Sequence, residues 1–207
     1  MSEPDSAQIY LTTPQSFDLA EFAPQLKAVL DAHAIICVRL SLSTSNEREL
    51  SSAADSLREI CHARDVAIVI DDHYRMVKTH GLDGVHLTSG SRLVREARAE
   101  LGHDAIVGAY CGTSKHTGMT AAEIGSDYIS FGPISDTALG DGSVADADLF
   151  QWWSEMIEVP VVAEGNATPN AIEGIKDHID FLCVGPEIWT DAIGPVEALK
   201  AVIARLR

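Results

Sequence analysis

The sequence predicts a (β/α)8 barrel (a TIM barrel) of the α/β class, with residues 1–207 as a single domain. Three observations lead there. Short apolar runs alternate with helix-like stretches from end to end. Most of these runs are continuous Val/Ile/Leu rather than alternating, as in parallel strands covered on both faces. The 207 residues are enough for one domain that buries roughly 70% of its unfolded surface without disulfides or metal. An open doubly wound sheet is the alternative, but no Gly-rich fingerprint follows the first run.

Eight runs read as strands: Ile9–Thr12, Ile35–Leu40, Val66–Ile70, Val85–Leu87, Ala105–Tyr110, Tyr128–Phe131, Val159–Ala163 and Phe181–Val184. Between them, Asp18–Ala32 carries Leu19, Phe22, Leu26, Val29 and Leu30 at helical spacing. Asn46 is the expected N-cap of a helix over Arg48–Ala63. Ser91–Leu101 is amphipathic and stops at Gly102. Asp146–Ile157 places Trp152 and Trp153 where they pack a helix or a subunit interface. Pro195–Leu206 closes the chain, with proline at its start and basic residues in its last turn. Asp136–Asp148, small and acidic, breaks this rhythm and reads as a mobile lid.

Composition narrows the partners. Fifteen Lys+Arg against thirty-one Asp+Glu give a net charge of -16. That balance argues against a general nucleic-acid binder, which needs a basic face to neutralise phosphates, and against docking on anionic membrane. A small-molecule ligand in a locally protected pocket remains, and a second copy of the chain is an admissible partner. Cys37, Cys61, Cys111 and Cys183 form no C-x-x-C pair and read as buried thiols in a reducing compartment. The opening MSEPDSAQ has no apolar core, and no apolar run approaches ~18 residues, so the expected location is the cytoplasm.

In such barrels the site lies at the C-terminal strand ends. That rule selects Arg39 and Ser41 after the second run, Asp71 and Asp72 after the third, His86 in the fourth and Tyr110 ending the fifth. Thr137 follows the sixth run, Gly165 and Asn166 the seventh, and Gly185 the eighth. Asp71-Asp72-His73 offers hard oxygen ligands to a cation such as Mg²⁺, or acid/base groups; the alternative is a helix cap beside a solvated carboxylate. His86, inside V-H-L, is a catalytic group or a hydrogen-bonded core histidine. His116 has loop character and an imidazole suited to proton transfer near neutral pH, with a solvated surface histidine as the competing reading. Backbone N–H groups after the last two strands are suited to cradling a phosphate, although Glu164 would repel one.

Taken together, V-I-D-D…G-L-D-G-V-H-L within Ile68–Leu87, D-A-I-V-G at 104–108, G-S-D-Y-I-S-F-G-P-I at 125–134 and V-P-V-V-A at 159–163 resemble the thiamine phosphate synthase family, including its thiazole tautomerase-like branch. The resemblance runs from about Ile9 to Ile188 and implies that family's barrel. It also implies thiamine biosynthesis, in which a pyrimidine diphosphate is joined to a thiazole phosphate with Mg²⁺ bound, or the thiazole phosphate is bound without that coupling. The resemblance makes Asp72 the metal ligand. It matches Thr137 and Gly165 to family site positions, and it matches Ser114-Lys115-His116-Thr117 to the stretch that carries the tautomerase branch's acid/base histidine.

The departures cluster in the charge clamp. Where the family's second strand ends in alternating Gln, Arg and Lys, this chain has Arg39, Ser41 and Ser43. Asn-Asp becomes Asp71-Asp72, the second metal carboxylate falls on Ser91, and the lysine after G-P falls near Gly140. The glycine pair becomes Gly165-Asn166, and the serine of the last cradle becomes Pro186. Each lost charge-assisted contact is worth roughly 1.5–3 kcal/mol, so diphosphate chemistry is expected to be crippled. Two competing expectations stand beside the family activity: a repurposed barrel for another small molecule, and a regulatory or assembly protein on the same scaffold.

Overall fold

The computed structural model describes residues 6–136 and 143–207, and its eight strands close into one parallel barrel in sequence order. The strands are β1 Gln8–Thr12, β2 Cys37–Leu40, β3 Ala67–Asp71, β4 Gly84–Leu87, β5 Ile106–Tyr110, β6 Tyr128–Phe131, β7 Val161–Ala163 and β8 Phe181–Val184. The helices are α1 Leu19–Ala32, α2 Glu47–His62, α3 Met76–His80, α4 Val94–Leu101, α5 Lys115–Ile124, α6 Ala147–Met156, α7 Pro169–Ile175, α8 Pro186–Trp189 and α9 Pro195–Leu206. None is long and apolar enough to cross a membrane.

The eight expected strands are present, with three of them shorter at the N-terminal end (β2, β5 and β7) and two longer by one residue (β1 and β4). The seventh begins at Val161 rather than Val159, because Pro160 has no N–H to give the ladder. The helix expected from Ser91 starts as a tight 3₁₀ turn over Gly90–Leu93 and becomes α-helical at Val94. Asp18, Asn46 and Asp146 cap α1, α2 and α6, each side chain accepting from backbone N–H groups of the first turn.

Two apolar clusters hold the barrel. One lies between the sheet and the helices, with Leu11, Leu26, Leu57, Ile68, Leu87, Phe131 and Trp153 among its fully buried members. The other fills the barrel interior with Tyr10, Cys37, Val69, Tyr128, Val162 and Cys183. Gly108 is required here: a Cβ would lie 2.0 Å from the Tyr128 ring, which crosses the barrel over that position. All four cysteines are buried and unpaired, and burial pushes their thiols up, those of Cys61 and Cys111 to about 12. Trp153 sits in the core, while half-buried Trp152 lies under the Lys115 ammonium, 4.7 Å from its ring centroid.

A repeated device closes the floor. Asp83, Asp127 and Asp180 each stand one residue before an even-numbered strand. Each carboxylate accepts from the backbone N–H of the preceding odd strand: Ile68 at 2.7 Å, Val107 at 2.7 Å and Val161 at 2.8 Å. Each Asp N–H returns a bond to the same residue's carbonyl. Asp127 also holds Arg98 at 2.6 Å. Asp127→Ala is therefore expected to destabilise the protein by roughly 1–3 kcal/mol, since it strips the partner from the first residues of β5. Urea unfolding at pH 7 checks this; an unchanged midpoint at unchanged m would show that the bond is dispensable.

Candidate functional site

The inward side chains change character along the barrel. The lower layers are apolar, and the C-terminal layer is polar: Thr12, Arg39, Asp71, His86, Tyr110, Ser130 and Glu164. Parallel register sets their neighbours, with Thr12 beside Arg39 and Asp71 beside His86. Above them opens a cavity of about 710 Å³, lined by Thr12, Gln15, Arg39, Ser41, Tyr110 and Glu164 from one side. Gly165, Asn166, Cys183, Gly185, Glu187 and Trp189 complete it. A second cavity of about 310 Å³ joins it at Ser41 and reaches Asp71, Asp72, His73 and Thr88.

Arg39 is the centre of the mouth. Its Nη1 meets Glu164 Oε2 at 2.6 Å, its Nε lies 3.5 Å from Asp71 Oδ1, and both members of the closer pair are nearly enclosed, at 11% and 12% side-chain exposure. Burial opposes the guanidinium charge, but Glu164 and Asp71 overcome it and hold Arg39 protonated. Asp71 responds in the other direction. Burial lifts its carboxyl from 3.8 to about 6, with Arg39 and a hydrogen bond from Ser41 pulling against the rise. Beneath Arg39 runs a chain of buried groups: Tyr10 Oη to Tyr128 Oη at 2.8 Å, then Tyr128 Oη to His86 Nδ1 at 2.9 Å. Burial, then Arg39, lowers the His86 pKa, so its ring is neutral. His86 Nε2 and Ser130 Oγ are buried without a partner.

The structure gathers most of the expected site residues. Arg39, Ser41, Asp71, Tyr110, Gly165, Asn166 and Gly185 line the joined cavities, and His86 lies below them in the barrel core. Thr137 and Gly140, with most of the expected lid, fall in residues 137–142, outside the described residues. His116 is not in a loop. Ser114 caps α5, accepting from Thr117 N–H and Thr117 Oγ1, which places His116 in the first helical turn, exposed, and outside the lining of either cavity. Gly118 packs this helix tightly: a Cβ there would lie 2.8 Å from the rings of both Phe131 and Trp153.

Asp72 adopts φ +54°, and its two oxygens accept from Thr88 N–H at 2.8 Å and Thr88 Oγ1 at 2.5 Å. That fixes the β3 and β4 loops together. It also leaves a poor donor set for Mg²⁺. Asp71, the nearest carboxylate, faces a guanidinium, and Mg²⁺ draws most of its oxygen shell from waters and phosphates beyond one or two carboxylates. Among the described residues no three His, Cys, Asp or Glu side chains converge on one point. The described side chains therefore form no complete Mg²⁺ shell of their own; Asp71 and Asp72 would hold the ion only together with waters and a ligand's phosphate oxygens.

Some participants escaped the sequence reading. Glu164 was legible only as a charge that repels phosphate, not as the partner of Arg39. Tyr10 and Tyr128 read as strand apolar residues. Glu187, in C-V-G-P-E, carried no local signal; its carboxylate accepts from Gly185 N–H at 3.0 Å and Ala167 N–H at 3.3 Å.

A family model described as Thiamine monophosphate synthase matches residues 9–188. A thiamine-phosphate synthase of Rhodospirillum centenum is 39% identical over 194 residues, covering 93% of this chain and 94% of the relative. One from Erythrobacter litoralis is 35% identical, covering 95% of each. Among solved structures, a thiamine phosphate pyrophosphorylase from Pyrococcus furiosus superposes with a TM-score of 0.80 at 20% identity, over 97% of both chains, a likeness of fold.

Two outcomes follow from the geometry. The folded protein holds the Asp71 proton more tightly than the unfolded chain does, so this carboxyl subtracts stability as pH rises from about 4 to about 6. Asp71→Asn is therefore expected to be more stable than wild type at pH 7, by on the order of 2 kcal/mol, with the gain vanishing near pH 4. Urea midpoints across that range check it; a pH-independent difference would show that the carboxyl does not titrate there. His116→Ala, measured by calorimetry with any ligand of the strand-end cavity, is expected to leave affinity within about twofold of wild type, as for a surface change away from the contacts. A larger loss would place His116 at the ligand.

Proposed function

We propose a function from one premise: the chain belongs to the thiamine monophosphate synthase family. The protein binds a thiazole phosphate, or a related small phosphorylated ligand, at the strand C-terminal ends, with the clamp for the pyrimidine diphosphate degraded and the transfer from it weakened or lost. Binding of the smaller ligand is supported by the cavity over β7 and β8, where barrels commonly hold a phosphate. Loss of the transfer rests on one observation: Arg39 is the only Lys or Arg among the described residues lining either cavity, and Glu164 already occupies it at 2.6 Å. Residues 137–142 contain no Lys or Arg to replace it. A diphosphate leaving group develops charge that needs preorganised cations or metal to stabilise it, and neither is supplied by the side chains described.

In this reading Asp72 and Thr88 brace the entrance, while Ser41, Tyr110 and Asn166 offer neutral hydrogen-bonding groups to the heterocycle and its substituents. The repurposed barrel remains the second reading. The Arg39–Glu164 pair favours it, because a mouth whose cation is internally neutralised has less use for any anion.

Calorimetry and thermal unfolding separate the two. Thiazole phosphate at ~100 times its Kd is expected to stabilise the protein by ~2.7 kcal/mol. The pyrimidine diphosphate with Mg²⁺ is expected to give no measurable heat and, with thiazole phosphate present, no thiamine phosphate. A micromolar Kd for the diphosphate, or turnover, would show that other groups rebuild the clamp. Stabilisation by neither ligand would favour the repurposed barrel.

A further inference from the structure

Glu187 sits in α8, directly after the strand-end Gly185 and Pro186. Its carboxylate does more than close its own turn. One oxygen accepts from the N–H of Gly185, two residues back, at 3.0 Å. The other accepts from the N–H of Ala167, twenty residues away in the loop after β7, at 3.3 Å. A local cap accounts for the first bond and not for the second, which ties two separate strand-end loops together around one anion. No Lys, Arg or His pairs with Glu187 among the described residues, so backbone amides alone hold the charge. The same carboxylate lines the cavity with Gly165, Asn166 and Gly185. Amides of the loops after strands 7 and 8 are where a barrel of this kind holds a phosphate.

We infer that Glu187 is an internal stand-in for the ligand's anionic group: its carboxylate occupies the Gly185 and Ala167 amides in the free protein, and a phosphate enters only by displacing it. Glu187 thereby sets how weakly the site takes phosphate esters relative to their uncharged alcohols. The organic part of the ligand rests on the function proposed above; the occupancy of the amides does not.

The displacement costs the two bonds of a carboxylate and leaves that carboxylate near the incoming anion, where like charges repel. Removing it is therefore expected to tighten phosphate by about 10–100-fold, the range set by one charge-assisted contact. The test uses the intact chain, with Glu187→Ala and Glu187→Gln, and inorganic phosphate as the first probe in calorimetry. Glu187→Ala is expected to bind phosphate most tightly, Glu187→Gln to fall between it and wild type, and wild type to bind most weakly. Gln retains an acceptor for the loop amides, so it carries the test if the alanine variant does not fold. Thiazole phosphate is expected to follow the same order, while the unphosphorylated thiazole alcohol binds all three equally. Equal phosphate affinity in all three proteins, or none in any, would overturn the inference and leave Glu187 a structural tie. An equal gain for the alcohol would overturn it too, since it would mean only that space had been opened. If inorganic phosphate binds Glu187→Ala but thiazole phosphate binds none of the three, the inference stands and the proposed ligand is wrong.

Discussion

A guanidinium held inside a barrel is the constraint on which the rest of the mouth depends. Arg39 projects from β2 into a space that is nearly closed to water, and a buried charge without a partner is prohibitively costly. Glu164 answers it from β7 at 2.6 Å. Strand register then fixes what can sit nearby: Thr12 beside Arg39 on β1, and Asp71, two residues along β3 from Arg39's own pairing partner Val69. Two carboxylates now face one cation, and they do not share it equally. The short contact goes to Glu164. Asp71 is left with a distance of 3.5 Å and an elevated pKa of about 6.

The same cation orders the layer below. Its positive charge and burial keep His86 neutral, which lets the imidazole share a hydrogen bond with Tyr128, whose hydroxyl also meets Tyr10. Cation and Tyr10 ring lie 5.9 Å apart, within the reach of a cation–π attraction. A polar stack of this kind is rigid when its members are satisfied and expensive where they are not. Among the described residues His86 Nε2, Ser130 Oγ and Asp71 Oδ1 are buried there without a hydrogen-bond partner.

What the sequence made legible, and what it did not, divides along the same line. Short apolar runs of three to six residues, most of them continuous, identified all eight strands, because parallel strands are covered on both faces. The start of α2 was legible because Asn46 caps its own turn, while Asp18 and Asp146, read as the first residues of their helices, are the caps of α1 and α6. His116 was misplaced into a loop because Ser114, the cap that starts its helix, is followed by Lys-His-Thr-Gly rather than by an apolar stripe. The strand-end rule found Arg39, Asp71 and Gly165 from position alone. It did not find who pairs with whom. Arg39 and Glu164 are 125 residues apart, and the three aspartates that tie the floor act on residues 15 to 20 positions earlier. No local pattern records such pairings, since they depend on how the sheet closes.

That difference matters most for reading a degenerate site. Counting cations along the second strand led to the expectation of a weak anion clamp, and it treated Arg39 as a free cation. In the fold, Arg39 is already answered by Glu164, and the strand-end amides after β7 and β8 are already answered by Glu187. A carboxylate on each natural anion contact is a different state from an empty contact. An empty contact leaves an unsatisfied group that any anion, or water, would stabilise. A self-answered one makes every anion compete with a tethered carboxylate of high effective concentration, so affinity falls by that competition as well as by the missing charge. At the mouth of this barrel Glu164 and Glu187 therefore stand against an incoming anion in addition to the scarcity of cations there.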